Sequence, residues 1–263
     1  MFGLFNRRKA AAAVSNTVAP SGPNNAIGFM IGDVHGCFDA LQELLMKIED
    51  ERRAHPERDA DIIFLGDLMD RGPASKEVIA FLKDYNPDFA NVHFIMGNHE
   101  EVMLQVLSGD TDAMMSWFQF GGKTCARSYG VESLGAVLMD PDRVISDIQR
   151  AVPEDHLEFI RGFKDYHMFG DFMCVHAGIK PGVALTEQSA ADMRWIRKRF
   201  LDYKKPHPHM IVHGHSVVEA AEILPNRIAV DTGACHGGPL TALVVKDTSL
   251  SFLQSTETAA PPA

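Results

Sequence analysis

The sequence predicts an α/β fold, a sandwich of two mixed β-sheets flanked by helices, with a helical cap inserted. Three observations predict it. Over 27–96, short apolar runs alternate with amphipathic stretches in βαβαβ order, and right-handed crossovers turn that order into a parallel core. From 101 to about 162 the periodicity is mostly helical. Beyond 165 the chain changes to short strands, read here as completing a second sheet.

The first strand, over 27–31, ends in the loop Gly32-Asp33-Val34-His35-Gly36. A helix follows in which Leu41, Leu44, Leu45 and Ile48 recur at helical spacing between polar residues, so one face packs on a sheet. The apolar run 62–65 is a buried strand of the parallel type, and it breaks at Gly66 into a loop carrying Asp67, Asp70 and Arg71. Ser75 caps the next helix, which buries Val78, Ile79 and Leu82. A third strand over 92–96 ends in Gly97-Asn98-His99-Glu100.

The cap over 101–162 is broken at Gly121 and Gly122 within an aromatic-rich run, where Trp117, Phe118 and Tyr129 are candidates to face a site. A hairpin over 166–175 turns at Gly170-Asp171 and ends in His176-Ala177-Gly178. A helix with Arg194, Trp195, Arg197 and Arg199 follows, then a strand over 210–212 feeding His213-Gly214-His215, and short strands over 227–231, 240–245 and 250–253. The organisation expected is a disordered arm over 1–25, one domain over 26–255 and a flexible tail over 256–263.

Composition excludes several classes. A formal net charge of −10 argues against binding along a nucleic-acid polymer, which calls for a basic face. Cys37, Cys125, Cys174 and Cys235 form no CxxC pair, so neither a zinc knuckle nor a disulfide framework is indicated, and a cytoplasmic location is expected. The start places Arg7, Arg8 and Lys9 after a very short apolar stretch, the reverse of a secretory leader, with one turn of Phe2, Leu4 and Phe5 as the only basis for a membrane-surface contact. No run reaches the length of a membrane span.

Three successive βα units deliver Asp, Asn and His at one sheet edge, where ligands bind in open α/β sheets. Asp33 and His35, two residues apart, lie on one face of an extended segment and can share an ion. Asp67 is suited to bridge two cations, and Asn98, His176 and His215 could complete the second. Oxygen and imidazole donors without thiolate suit Mn²⁺, Fe or Zn²⁺. Of the other histidines, His55, His93, His156, His167, His207 and His209 lack partners at ligand spacing and are expected to be structural or exposed.

The ordered motifs GDVHG at 32–36, GDLMDRG at 66–72, GNHE at 97–100, HAG at 176–178 and HGH at 213–215 resemble the PPP-type calcineurin-like metallophosphoesterases, in their bacterial and phage serine/threonine protein phosphatase branch, across about 27–255. The resemblance implies two divalent cations, Mn²⁺ foremost. Asp33, His35 and Asp67 hold the first, and Asp67, Asn98, His176 and His215 the second. It implies His99 as general acid oriented by Asp70, attack by a metal-bridging hydroxide, and Arg71 and Arg197 as phosphoryl clamps. His236 falls where relatives line the substrate pocket, and His213 is left as a packing or supporting residue. Arg194 and Arg199 are expected at the surface.

The function expected is dephosphorylation of phosphoserine and phosphothreonine proteins, with small phosphorylated metabolites as lesser candidates for substrate. The alternative is symmetrical hydrolysis of dinucleoside polyphosphates, carried out by a sister branch that commonly departs from the DRG aspartate and has GNHD where this chain keeps Asp70 and Glu100. A different class, an inactive metal-binding scaffold, fits poorly with an acid, its orienting carboxylate and both clamps all present.

Overall fold

A computed structural model describes residues 19–257. Its first sheet has the order β10-β9-β1-β2-β3: β1 is Ala26–Ile31, β2 Asp59–Phe64, β3 Asn91–Phe94, β9 Thr241–Lys246 and β10 Ser249–Gln254. The three strands of the βαβαβ half are parallel, with Phe29 opposite Ile62 and Ile62 opposite Val92. The second sheet has the order β4-β5-β6-β8-β7: β4 is Tyr166–Phe169, β5 Phe172–Val175, β6 Met210–His213, β7 Glu222–Ile223 and β8 Arg227–Ala229.

One expectation is corrected here. The strands over 240–245 and 250–253 do not join the second sheet; they return to the first, where β9 lies antiparallel to β1 with Val244 opposite Phe29. An apolar strand states that it is buried, and either sheet satisfies that.

Period-two alternation sorts side chains into layers. Ile27, Phe29, Ile31, Ile62 and Phe64 face the helices α1 (Phe38–Arg53) and α2 (Ser75–Lys83), whereas Met30, Ile63 and Leu65 face the other sheet. From the second sheet Phe172, Cys174 and Val212 meet them, while Met173, Val175 and Ile211 turn outward onto α8 (Ala190–Trp195) and α9 (Lys198–Leu201).

The cap comprises α3 (Asn98–Leu107), α4 (Thr111–Gln119), α5 (Gly122–Ser128), α6 (Pro141–Ala151) and α7 (Glu154–Arg161). Its apolar residues, among them Met103, Trp117 and Ile148, belong to the same core as the first sheet. Among the described residues no helix is long and apolar enough to cross a membrane, and the four cysteines are free.

Residues 1–18, with the Arg7, Arg8 and Lys9 cluster, and 258–263 lie outside the described residues. The end of the segment expected as an arm is docked. Ser21 N donates to Asp171 Oδ2 at 2.9 Å and Gly22 N to Asp247 O at 2.8 Å, so this stretch ties the hairpin turn of the second sheet to that of the first. Thr256 N donates to Glu43 at the start of the tail.

Candidate dinuclear metal centre

The loops after β1 and β2 are zipped together by their main chains. Val34 N and His35 N donate to Asp67 O at 3.1 and 2.9 Å, and Gly36 N donates to Leu68 O at 2.9 Å. Five non-glycine residues hold positive φ here: His35 (45°), Asp67 (51°), Asp70 (72°), Arg71 (62°) and His215 (61°). Such backbone strain persists only where the surroundings over-determine it, and it concentrates at working sites. Gly97 is required by close approach, because a Cβ there would collide with Asp67.

Asp33, His35, Asp67, Asn98, His176 and His215 are all buried and converge. His35 Nε2 lies 4.0 Å from Asp33 Oδ2 and 3.5 Å from Asp67 Oδ2, while His176 Nε2 lies 3.4 Å from Asp67 Oδ1. Asn98 Oδ1 stands 2.9 Å from His176 Nε2 and 2.8 Å from His215 Nδ1. His35 Nδ1 donates to Met69 O at 2.7 Å and His176 Nδ1 to Leu65 O at 2.8 Å, which leaves each Nε2 lone pair aimed into the cluster.

These donors fit divalent cations. With Nδ1 of His176 committed to Leu65, its Nε2 faces the oxygens of Asn98 and Asp67, an arrangement of acceptors that calls for a positive charge among them. His35 Nε2 and His215 Nε2 are buried without a partner. Burial, then the carboxylates of Asp231 and Asp67, push Asp33 well above the usual carboxylate range. Burial opposes the charge on Asp67 too, but the neighbouring His176, His99 and His35 outweigh it and hold Asp67 well below that range. Burial and His176 hold His215 at about 2, so it is a neutral donor.

His99 lies beside His35, its Nε2 3.8 Å from Asp67 Oδ2. Its Nδ1 lies 2.6 Å from Asp70 Oδ2, and the same oxygen accepts from Trp117 Nε1 at 2.7 Å. Burial works against an imidazolium here, yet Asp67 and the hydrogen bond to Asp70 outweigh it and raise His99 to about 9. Arg71 Nη2 is 3.1 Å from His99 Nε2. Guanidinium has no acceptor, so this contact is a hydrogen bond only to neutral His99. The cap supports this corner, because Gly121 O accepts from Arg71 N at 3.2 Å, and a Cβ on Gly121, at φ 108°, would strike Arg71.

The remaining expectations sort by what each side chain touches. Trp117 faces the site through Asp70, and Phe118 packs on Trp117. Tyr129 does not, since its hydroxyl meets His156 Nδ1 at 2.9 Å. Arg197 is exposed, and its charge is among those lowering His215. Arg194 is not a solvated surface residue: it bonds Glu101 Oε1 at 2.7 Å and Asp165, tying α8 to the cap. Arg199 is exposed, as is His236, on the turn whose Cys235 contacts Arg71. His213 packs edge-on against Phe200 and donates to Gly214 O.

Two supporting residues are missed by sequence reasoning. Glu100 accepts from Asp67 N, Leu68 N and Gly97 N at 2.9, 2.7 and 3.0 Å, clamping two loops. Asp231 is buried beside Asp33, with Oδ2 unpartnered. The signal for both is present in the sequence, a carboxylate next to a strand end.

The calcineurin-like phosphoesterase family model matches residues 29–234. The chain is 28% identical over 239 residues to bis(5′-nucleosyl)-tetraphosphatase PrpE (asymmetrical) of Bacillus velezensis, covering 81% of this chain and 86% of that one. In fold it is similar to a protein serine/threonine phosphatase from Saccharomyces cerevisiae, with TM-score 0.51, 14% identity, and 90% and 82% of the two chains covered. It is likewise similar to a cold-active protein-tyrosine phosphatase of a psychrophilic Shewanella, with TM-score 0.52, 19% identity, and 87% and 80% covered. A metal-dependent phosphoric ester hydrolase is what this buried donor set and these matches support, and the chain belongs to the calcineurin-like phosphoesterase family.

Proposed function

We propose that the chain hydrolyses phosphate monoesters of alcohols, phosphoserine and phosphothreonine of proteins first among them, with His99 as general acid, in the cytoplasm. The observation that carries this reading is the double hold on Asp70 Oδ2, by His99 Nδ1 at 2.6 Å and Trp117 Nε1 at 2.7 Å. An alkoxide is a poor leaving group and gains most from a positioned proton donor, whereas a nucleotide phosphate leaves without one. A His99 held in place through Asp70 is therefore better matched to an alcohol ester.

Asp33, His35 and Asp67 would hold one cation, and Asp67, Asn98, His176 and His215 the other, with Mn²⁺ suited to this set and Fe or Zn²⁺ as alternatives. Bound there, the cations supply Lewis acidity to phosphoryl oxygens and lower the pKa of water. Arg71 and Arg197 bind phosphoryl oxygens through paired N–H donors. A phosphoryl group draws Arg71 away from His99 Nε2, which frees that nitrogen to carry the proton delivered to the leaving oxygen. His236 borders the substrate.

A second reading is favoured by the name of the Bacillus velezensis relative, which relatives from Halalkalibacterium halodurans and Bacillus subtilis share. It replaces the symmetrical cleavage considered from sequence with an asymmetrical one. The two readings separate on leaving group. With Mn²⁺-loaded protein, His99→Asn is expected to lower kcat on a phosphothreonine peptide by roughly 10²–10⁴. The loss on p-nitrophenyl phosphate should be much smaller, with metal content unchanged. Equal losses on both esters, or a higher kcat/KM for diadenosine tetraphosphate than for the peptide, would sink the monoesterase proposal.

A further inference from the structure

We propose that Asp61, His93 and His167 form a separate metal site, taking one divalent transition ion of the zinc class, in the half of β2 away from the catalytic loops. Three strands bring these residues together: Asp61 on β2, His93 on the neighbouring β3, and His167 on β4 of the other sheet. One donor atom from each lies within 4.8 Å of the others. The group shares no residue with the catalytic clusters of His35, Asp67 and His99 and of Asp67, His176 and His215.

The separations leave room for an ion between the groups. His93 Nε2 is 3.7 Å from Asp61 Oδ1 and His167 Nε2 is 4.0 Å from Asp61 Oδ2, both too long for hydrogen bonds. With Zn–N and Zn–O near 2.0–2.1 Å, ligand atoms of a tetrahedral site stand roughly 3.3–3.4 Å apart. The two histidine–carboxylate separations exceed that by roughly 0.3–0.7 Å. The two imidazoles are stacked, with centroids 3.9 Å apart and planes at 24°, and binding requires that they open about the ion.

The chemistry suits the same class of ion. Two imidazoles and a carboxylate without thiolate are zinc-class donors. Asp61 is oriented by Asn91 Nδ2 at 2.9 Å, the outer hydrogen bond that ligating carboxylates commonly have. A cavity of about 370 Å³ is lined in part by His93, Phe159, Lys164 and His167, so both imidazoles border open space.

An ion here would join the two sheets. His176 and His215 come from the second sheet and must meet Asp67 and Asn98 from the first, so a tie at the opposite end of the seam holds the sheet alignment on which the catalytic cluster depends.

The test is Co²⁺ titration of the full chain beside its His93→Gln/His167→Gln variant, read by visible ligand-field absorption, with Zn²⁺ content measured after dialysis. The wild type is expected to take one equivalent more than the variant, and Zn²⁺ to raise its Tm further. Asp61→Asn, which changes a single atom, should remove the same equivalent and decides the matter alone if the double variant does not fold. Equal stoichiometry in folded wild type and Asp61→Asn would overturn the site.

Discussion

Strand β2 leads from one histidine–carboxylate cluster, at Asp61 in its first half, to another at Asp67 just beyond its last residue, and the fold treats the two ends differently. At Asp67 every donor is buried, the loop backbone is held in left-handed conformations, and the imidazoles of His35 and His176 are aimed by main-chain carbonyls. At Asp61 the side chains are 23, 33 and 26% exposed for Asp61, His93 and His167, the rings stack freely, and one amide, from Asn91, orients the carboxylate. Both ends can collect donors. Only the first is built so that its donors cannot relax away from one another, which is what a site for chemistry requires and a site for cross-linking does not.

The largest effect should come from breaking the stiff end. Asp67→Asn removes the one carboxylate that faces both halves of the catalytic cluster. Activity should drop by at least about 10³-fold, the several kcal/mol that cation catalysis supplies. The Co²⁺ equivalent assigned to Asp61, His93 and His167 should survive, so a titration of Asp67→Asn separates the two ends. Loss of that equivalent together with the catalytic ones would mean that the ends are not independent.

The legibility of the two ends follows from the same difference. The catalytic residues are adjacent in sequence to strand ends, so the amino-acid pattern alone places Asp33, Asp67, Asn98, His176 and His215 on one edge. His93 and His167 read as structural or exposed because nothing in their spacing connects 61, 93 and 167; the register of β2 with β3, and the meeting of the two sheets, make that connection. The same limit explains β9 and β10, since an apolar strand does not say which sheet it joins. Arg194 reads as a surface residue for a related reason: its partners Glu101 and Asp165 lie in other elements, and helical spacing does not point to them.

A smaller effect is expected from Trp117→Phe, which tests whether the stiffness reaches into the cap. The ring volume is largely kept while the hydrogen bond to Asp70 is lost, leaving Asp70 freer to turn. We expect kcat on a phosphothreonine peptide to fall by about 10- to 100-fold with KM little changed, since only the placement of the acid is affected. A loss appearing in KM instead would make Trp117 a wall of the substrate pocket and detach the cap from catalysis.

The smallest effect belongs to the open end without added metal. Burial works against the charge on Asp61, but His93 and Asn91 outweigh it and keep the carboxylate below its usual range. A depressed pKa stabilises the folded chain above the ordinary carboxylate value and is lost as pH falls through the lower one. Asp61→Asn in metal-free protein should therefore cost less than about 1 kcal/mol at neutral pH, as partly exposed ion pairs do, and the cost should fade in acid. Denaturant midpoints with and without Zn²⁺ measure this directly. If the cost stays equally small in saturating Zn²⁺, the cluster is an ordinary surface pair. If it grows with Zn²⁺ concentration, the ion binds the folded state through Asp61, and the two ends of β2 differ in stiffness while sharing a capacity for metal.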